Sequence, residues 1–257
     1  MKVDRARSDD YESSASHELS ADGERVLELF AGLVEPLWRS LSTDSEVVLH
    51  EIRLLPNSVV AIAGTVTGRQ VGDPATDLLL EQLRNVDRVQ NNIDYQSVLP
   101  DGRRLRSSTM IVRDSGGIPV AALCINTDIS DWLTAQEQVD AMVLGRASYA
   151  RSRPPARLES PAVPAGERGK SERGESFPRS VDELVSELIG SAIENTGVPV
   201  ELMKKQHKLA VVEQLEARGL FLLKDAVEVI AVALGVTRFT IYNYLNELAA
   251  AGKSEKS

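Results

Sequence analysis

The sequence predicts two regions of different fold class: an α+β N-terminal domain with a five-stranded antiparallel sheet and helices, and an all-helical C-terminal domain, joined by a flexible linker. Three observations carry this reading. Over residues 46–127, β-branched residues cluster in five segments separated by Pro, Gly and Asn turns. At about residue 146 the composition shifts to RASYARSRPPARLESPAVPAGERGKSERGESFP, which has almost no large aliphatic side chains. Apolar spacing of three and four then returns at Val181. The expected boundaries are a disordered tail over 1–21, the sheet domain over 22–145, the linker over 146–178, the helical domain over 179–250 and a second tail over 251–257.

Residues 22–41 place Val26, Leu29, Phe30, Leu33, Val34, Leu37, Trp38 and Leu41 on one helical stripe, with Pro36 expected to bend or divide it. Strands follow at 46–53 and 58–63, joined through Leu54-Leu55-Pro56-Asn57. The stretch TVTGRQVGDP is a loop and residues 74–86 a short helix. Three hairpin-linked strands come next, at 93–99, 104–113 and 118–127, with turns at Pro100-Asp101-Gly102 and Asp114-Ser115-Gly116-Gly117. Strand, strand, helical connection and three hairpin strands make an antiparallel sheet with helices on one face. Residues 128–144 read as a connecting or coiled helix. Beyond the linker, helices are expected over 181–195 and 199–218, the second ending at Gly219.

The stretch KDAVEVIAVALGVTRFTIYNYLNEL organises the helical domain. A helix-turn-helix needs a small residue at the helix crossing, a glycine in the turn and apolar residues that lock the angle. Ala231, Gly235 and the set Ile230, Leu234, Val236, Ile241 and Leu245 meet those needs, with Thr237 capping the second helix. Helical geometry leaves Arg238, Phe239, Tyr242, Asn243 and Asn246 off the apolar stripe and puts Tyr244 on the core side. Arg bridges guanine and Asn bridges adenine in a major groove, so Arg238 and Asn243 are the expected base readers. Thr237, Thr240 and Tyr242 are expected on the backbone or on thymine methyls. The competing reading is an ordinary exposed helix of a helical bundle.

Charge fits a two-part chain. The formal charge of −9 comes from residues 1–145, which alone carry −10, and the rest is close to neutral, which disfavours indiscriminate nucleic-acid binding and favours a dimer making sequence-specific contacts. Cys124, the only cysteine, lies in VAALCIN and is expected to be a small buried hydrophobe. No apolar run approaches a membrane span and the polar start is no signal peptide, so a cytoplasmic protein is expected. Of His17, His50 and His207, no pair has metal-ligand spacing, and neither a nucleophile elbow nor a catalytic carboxylate pair is present. Neither enzyme chemistry nor a cofactor or metal is expected.

Candidate effector-binding residues are His50, Arg69, Ser108 and Asn126, facing a small polar metabolite. Alternation puts His50 on the face of Val48 and Ile52, opposite Leu49. The glycine-rich run 64–72 beside Arg69 offers backbone amides to an anion, without a GxGxxG or P-loop pattern. Ser107, Ser108, Thr109 and Asn126 add polar groups to the sheet; solvent-facing strand residues are the alternative reading.

The segment EVVLHEIR…SVVAIAG.TVTGRQVGDPATDLLL…DGRRLRSSTMIVRD..G.PVAALCINTDI resembles the YheO-like PAS domain. The segment KLAVVEQLEARGLFLLKDAVEVIAVALGVTRFTIYNYLNEL resembles the helix-turn-helix joined to it in bacterial regulators of the D-arginine utilisation type. The resemblance covers roughly residues 22–130 and 200–248. It implies a transcriptional regulator whose PAS-like domain senses or relays a signal and whose C-terminal domain binds double-stranded operator DNA as a homodimer; relatives include repressors of amino-acid catabolic genes. The alternative is a PAS-like domain serving only as a dimerisation or protein-interaction module, its signal supplied by a partner. Where relatives commonly show an aromatic, Thr-rich strand before the Asp-Gly-Arg turn, this chain has NNIDYQSVLPDGR, so a pocket using that strand differs.

Overall fold

The computed structural model describes residues 19–41, 44–84, 89–144 and 175–254, with side chains described as far as Ala250. The expected N-terminal tail, apart from its last residues, and most of the expected linker lie outside these ranges.

Helix α1 (Ala21–Ser40) starts at Ser20, whose Oγ accepts the Gly23 N–H at 3.0 Å. It runs through Pro36 as one helix, against the expected division. Pro36 and Gly32, whose carbonyl loses its donor, both lie on the exposed side, where the freed oxygen is open to solvent rather than buried. Strand β1 (Ser45–Glu51) leads through a single turn of 3-10 helix (Ile52–Leu54) to β2 (Val59–Ala63). Helix α2 (Asp77–Leu83) follows, its amides capped by Thr76, whose Oγ1 accepts the Leu79 N–H at 3.2 Å. Strands β3 (Asn92–Val98), β4 (Arg104–Arg113) and β5 (Pro119–Asp128) then meander into α3 (Ser130–Leu144).

The sheet order is β2-β1-β5-β4-β3, antiparallel throughout. Register decides which side chains share a face. Val47 pairs with Ile125 and Leu49 with Leu123, and this apolar face, extended by Val112, packs against Phe30, Val34 and Leu37 of α1. Glu46 pairs with Asn126, Val48 with Cys124 and His50 with Ala122, while Ser107 and Thr109 of β4 pair with Asn126 and Cys124. That second face is polar, yet buried.

The helical part comprises α4 (Val181–Glu194), a 3-10 turn (Val200–Leu202), α5 (Lys205–Ala217), a second 3-10 turn (Leu220–Leu222), α6 (Ala226–Ala233) and α7 (Arg238–Ser254). The helix expected over 199–218 is therefore split: Met203 turns extended and its side chain anchors in the core before α5 begins. Helix α7 continues to Ser254, through half of the stretch expected to be a tail.

The two parts are not separate bodies. Leu79, Leu80 and Leu83 of α2 lie in one hydrophobic core with Leu184, Leu188, Val211, Leu215, Leu220, Ile230, Leu234 and Ile241 of the helical part. The last residues of the expected linker, 175–178, are seated on the sheet domain: Phe177 packs against Val66, Leu99 and Leu105. Composition correctly marks a polar stretch, but a short anchor inside one is invisible to averages over a window.

Candidate functional site

Two places concentrate functional chemistry, the buried polar face of the sheet and the exposed face of α7. On the sheet, positions 46 and 50 project to the same side because strand side chains alternate. Glu46 accepts the Thr67 N–H at 3.0 Å, the Thr67 hydroxyl at 2.7 Å and the Asn126 amide at 3.3 Å. Arg69 enters from the loop after β2, donating Nε–H to Thr67 Oγ1 at 3.2 Å with Nη2 3.8 Å from Glu46. His50 Nδ1 lies 2.8 Å from Ser58 Oγ. Tyr95 and Thr109 hydroxyls meet at 3.0 Å, and Ser97 and Ser107 at 3.2 Å. Burial, and after it the Arg69 cation, holds the His50 imidazole well below its ordinary pKa, so it is neutral. Burial pushes the Cys124 thiol up to about 11, as suits its reading as a buried hydrophobe.

His50, Arg69 and Asn126 thus converge. Ser108 does not: it projects to the opposite face, where its Oγ accepts the Asp94 N–H at 3.1 Å. Alternation along β4 gives the buried polar face to its neighbours Ser107 and Thr109. The glycine-rich loop contributes the Arg69 side chain and Thr67. The residues missing from the sequence reading are Glu46, Thr76, Tyr95, Glu175 and Phe177. Glu46 was legible from its two-residue spacing to Val48; the last two fall at the end of the stretch expected to be linker and carry no local signal.

Phe177 lies under the Arg69 guanidinium, 5.3 Å from ring centroid to Cζ. The Glu175 carboxylate faces the Thr76 and Tyr95 hydroxyls and the Arg69 cation; burial raises its pKa to about 7, against the pull of Thr76 and Arg69 and with a further push from Asp77. A carboxylic acid with a raised folded-state pKa binds a proton that the unfolded chain releases. The penalty is present above about pH 7 and relieved as pH falls toward 4.5. Glu175→Gln is therefore expected to gain stability over the parent chain at pH 8 and to lose that advantage by pH 5, read as the difference of urea midpoints across that range; a pH-independent difference would contradict a buried carboxyl here.

In the helical part, α6 and α7 turn through 103° about Leu234-Gly235-Val236. Gly235 takes φ +59°, the left-handed conformation the turn requires, and its N–H bonds to the Val232 carbonyl at 3.1 Å. Lys208 of α5 clamps the turn, its Nζ donating to the Leu234 carbonyl at 2.7 Å. Ile230, Leu234, Ile241 and Tyr244 are buried, as their spacing predicted. Thr237 caps α7, its Oγ1 accepting the Thr240 N–H at 3.2 Å. Thr237, Arg238, Phe239, Tyr242, Asn243 and Asn246 are exposed, Phe239 by 71%, and Thr240 is half-buried. Arg238 donates to Glu228 of α6 at 2.8 Å. This exposed, polar and aromatic second helix, held at an angle to a first helix anchored by buried Ala226, Ile230 and Ala231, has the form of a groove-reading element.

Residues 21–144 match the model of the YheO-like PAS domain, and residues 184–246 match that of an HTH domain. The chain joins a YheO-like PAS domain to an HTH domain. It is 28% identical to the transcriptional regulator DauR of Pseudomonas aeruginosa over 235 residues, spanning 91% of this chain and 100% of that protein. It is 26% identical to YheO of Escherichia coli (strain K12), over 86% of this chain and 84% of that protein, and 24% identical to an uncharacterised protein of Haemophilus influenzae, over 88% and 93%. The buried polar face therefore belongs to the YheO-like PAS domain and the exposed helix to the HTH domain. The two meet at α2: Asp77 accepts the Ser176 N–H at 2.8 Å and lies 3.5 Å from Arg218 of α5, and Gly219 abuts the Leu80 carbonyl. No described helix is by itself long and apolar enough to cross a membrane, and no group of three or more His, Cys, Asp or Glu among the described residues is placed to hold a metal ion.

Proposed function

We propose that this protein is a cytoplasmic, non-enzymatic transcriptional regulator that binds operator DNA as a homodimer through α7, with its YheO-like PAS domain sensing a small metabolite. The observation that carries the reading is the exposed face of α7, with Arg238, Tyr242, Asn243 and Asn246 presented from a helix whose other side is locked into the core. DauR, a transcriptional regulator matched over its whole length, supports it. Repression of amino-acid catabolic genes is the finer part of the proposal and draws on the resemblance to regulators of that kind. Dimerisation draws on α3, where no residue is buried and Trp132, Val139, Met142 and Val143 are all exposed.

A fragment from the chain's own promoter region is expected to bind with an affinity that falls as salt rises. Arg238→Ala is expected to weaken the best site by about 1–3 kcal/mol and random DNA far less. Glu228→Gln is expected to tighten both a few-fold, by releasing the Arg238 guanidinium and removing an anion beside the phosphates. Fluorescence anisotropy on specific and random duplexes measures all three quantities. Salt-independent binding, or equal losses on both duplexes for Arg238→Ala, would refute base reading by this residue.

A further inference from the structure

The buried polar face of the PAS domain has more hydrogen-bonding capacity than its own residues use. Arg69 Nη1 and His50 Nε2 are sealed from solvent without a partner, on residues only 5% and 1% exposed. Such groups are ordinarily satisfied by protein, water or ligand. What fills the space beside them comes from outside the domain: residues 175–177 bring a carboxylate toward Arg69, Thr76 and Tyr95, and an aromatic ring against Val66, Leu99, Leu105 and the face of Arg69. Glu175 Oε2 is itself sealed and unpartnered, so the fit is incomplete. The segment is held by few polar contacts: Ser176 N–H to Asp77, the Ser176 hydroxyl to Glu187, and Arg179 to the Gly68 carbonyl.

We infer that this pocket binds a small carboxylate bearing an apolar or aromatic group, and that Glu175 and Phe177 are its internal occupants, displaced when the free ligand enters. The inference deepens the reading of the PAS domain as a metabolite sensor and rests on it. Arg69 takes the ligand carboxylate through the donor that Glu175 leaves unused. The Thr76 and Tyr95 hydroxyls and His50 Nε2 complete its shell, and the apolar group takes the place of the Phe177 ring. Displacement has a route to the helical part. Asp77, which Ser176 and Arg218 share, sits in the first turn of α2, and Leu80 of the same helix lies against Gly219. Withdrawing Ser176 changes the partners of Asp77 at the point where the two parts meet.

The test is calorimetry of 3-phenylpropionate, with 3-phenylpropionamide as its uncharged counterpart, on the full chain and on Glu175→Ala/Phe177→Ala. The acid is expected to bind the double variant at least tenfold more tightly than the parent, because the internal competitor is gone. The amide is expected to bind at least tenfold more weakly than the acid, and Arg69→Gln to abolish acid binding. Should Arg69→Gln not fold, competition decides instead: the peptide Gly-Glu-Ser-Phe-Pro-Arg, matching residues 174–179, is expected to displace the acid from the double variant. Equal affinity for parent and double variant, an amide that binds like the acid, or no binding to the double variant overturns the inference. None of these measurements uses DNA. Promoter binding that fails beside a successful titration would remove the proposed function and leave the pocket; the reverse would remove the pocket alone.

Discussion

Replacing Gly219 by alanine is expected to destabilise the protein by roughly 2–4 kcal/mol, summing left-handed backbone strain and overpacking. Gly219 adopts φ +76° at the end of α5, where its N–H bonds to the Glu216 carbonyl at 3.0 Å. A Cβ added there would lie 2.6 Å from the Leu80 carbonyl oxygen and 3.0 Å from its carbon. Both are backbone atoms of a helix fixed by three buried leucines, so they cannot step aside as a flexible side chain would. Urea unfolding followed by circular dichroism measures the loss. A change below about 1 kcal/mol would mean that α2 slides freely over α5, which the shared core forbids.

Leu80→Ala is expected to cost about 2–5 kcal/mol, as for other fully buried leucines truncated in a core that relaxes incompletely. Leu80 belongs by sequence to the sheet domain, yet its side chain is buried among the helices that carry the HTH. The loss should therefore appear in native-state amide exchange of α5 and α6 as well as in the strands. Normal protection in α5 and α6 with weakened strands would rule out the common core. Duplex binding measured on the same variant should weaken too, since α6 sets the angle at which α7 is presented.

Periodic elements were well legible in the sequence. All five strands and the two helices of the HTH lie where alternation and three-four spacing put them, because one buried face imposes its period on the residues that line it. Pro36, the split near Met203 and the extension of α7 escaped for a different reason: whether a breaker is tolerated depends on which side of the helix meets water or core. Of the candidate effector-binding residues, His50, Arg69 and Asn126 share the buried polar face, and Ser108 lies one residue away from it, the smallest slip that reverses a side chain on a strand. Glu175 and Phe177 were not legible at all. Their role depends on a long-range contact with Arg69 and Thr76, more than a hundred and about a hundred positions away along the chain, and nothing in SERGESFP announces it.

The position of α2 has a practical consequence. A protein cut within the polar stretch after residue 144, to obtain the PAS part alone, would leave Leu79, Leu80 and Leu83 facing water, and the helical half alone would lack the side chains that complete its interior. The seam seen in composition is thus no seam in folding: the change of composition and the frontier of the cooperative unit fall in different places, and one seven-residue helix lies across both territories.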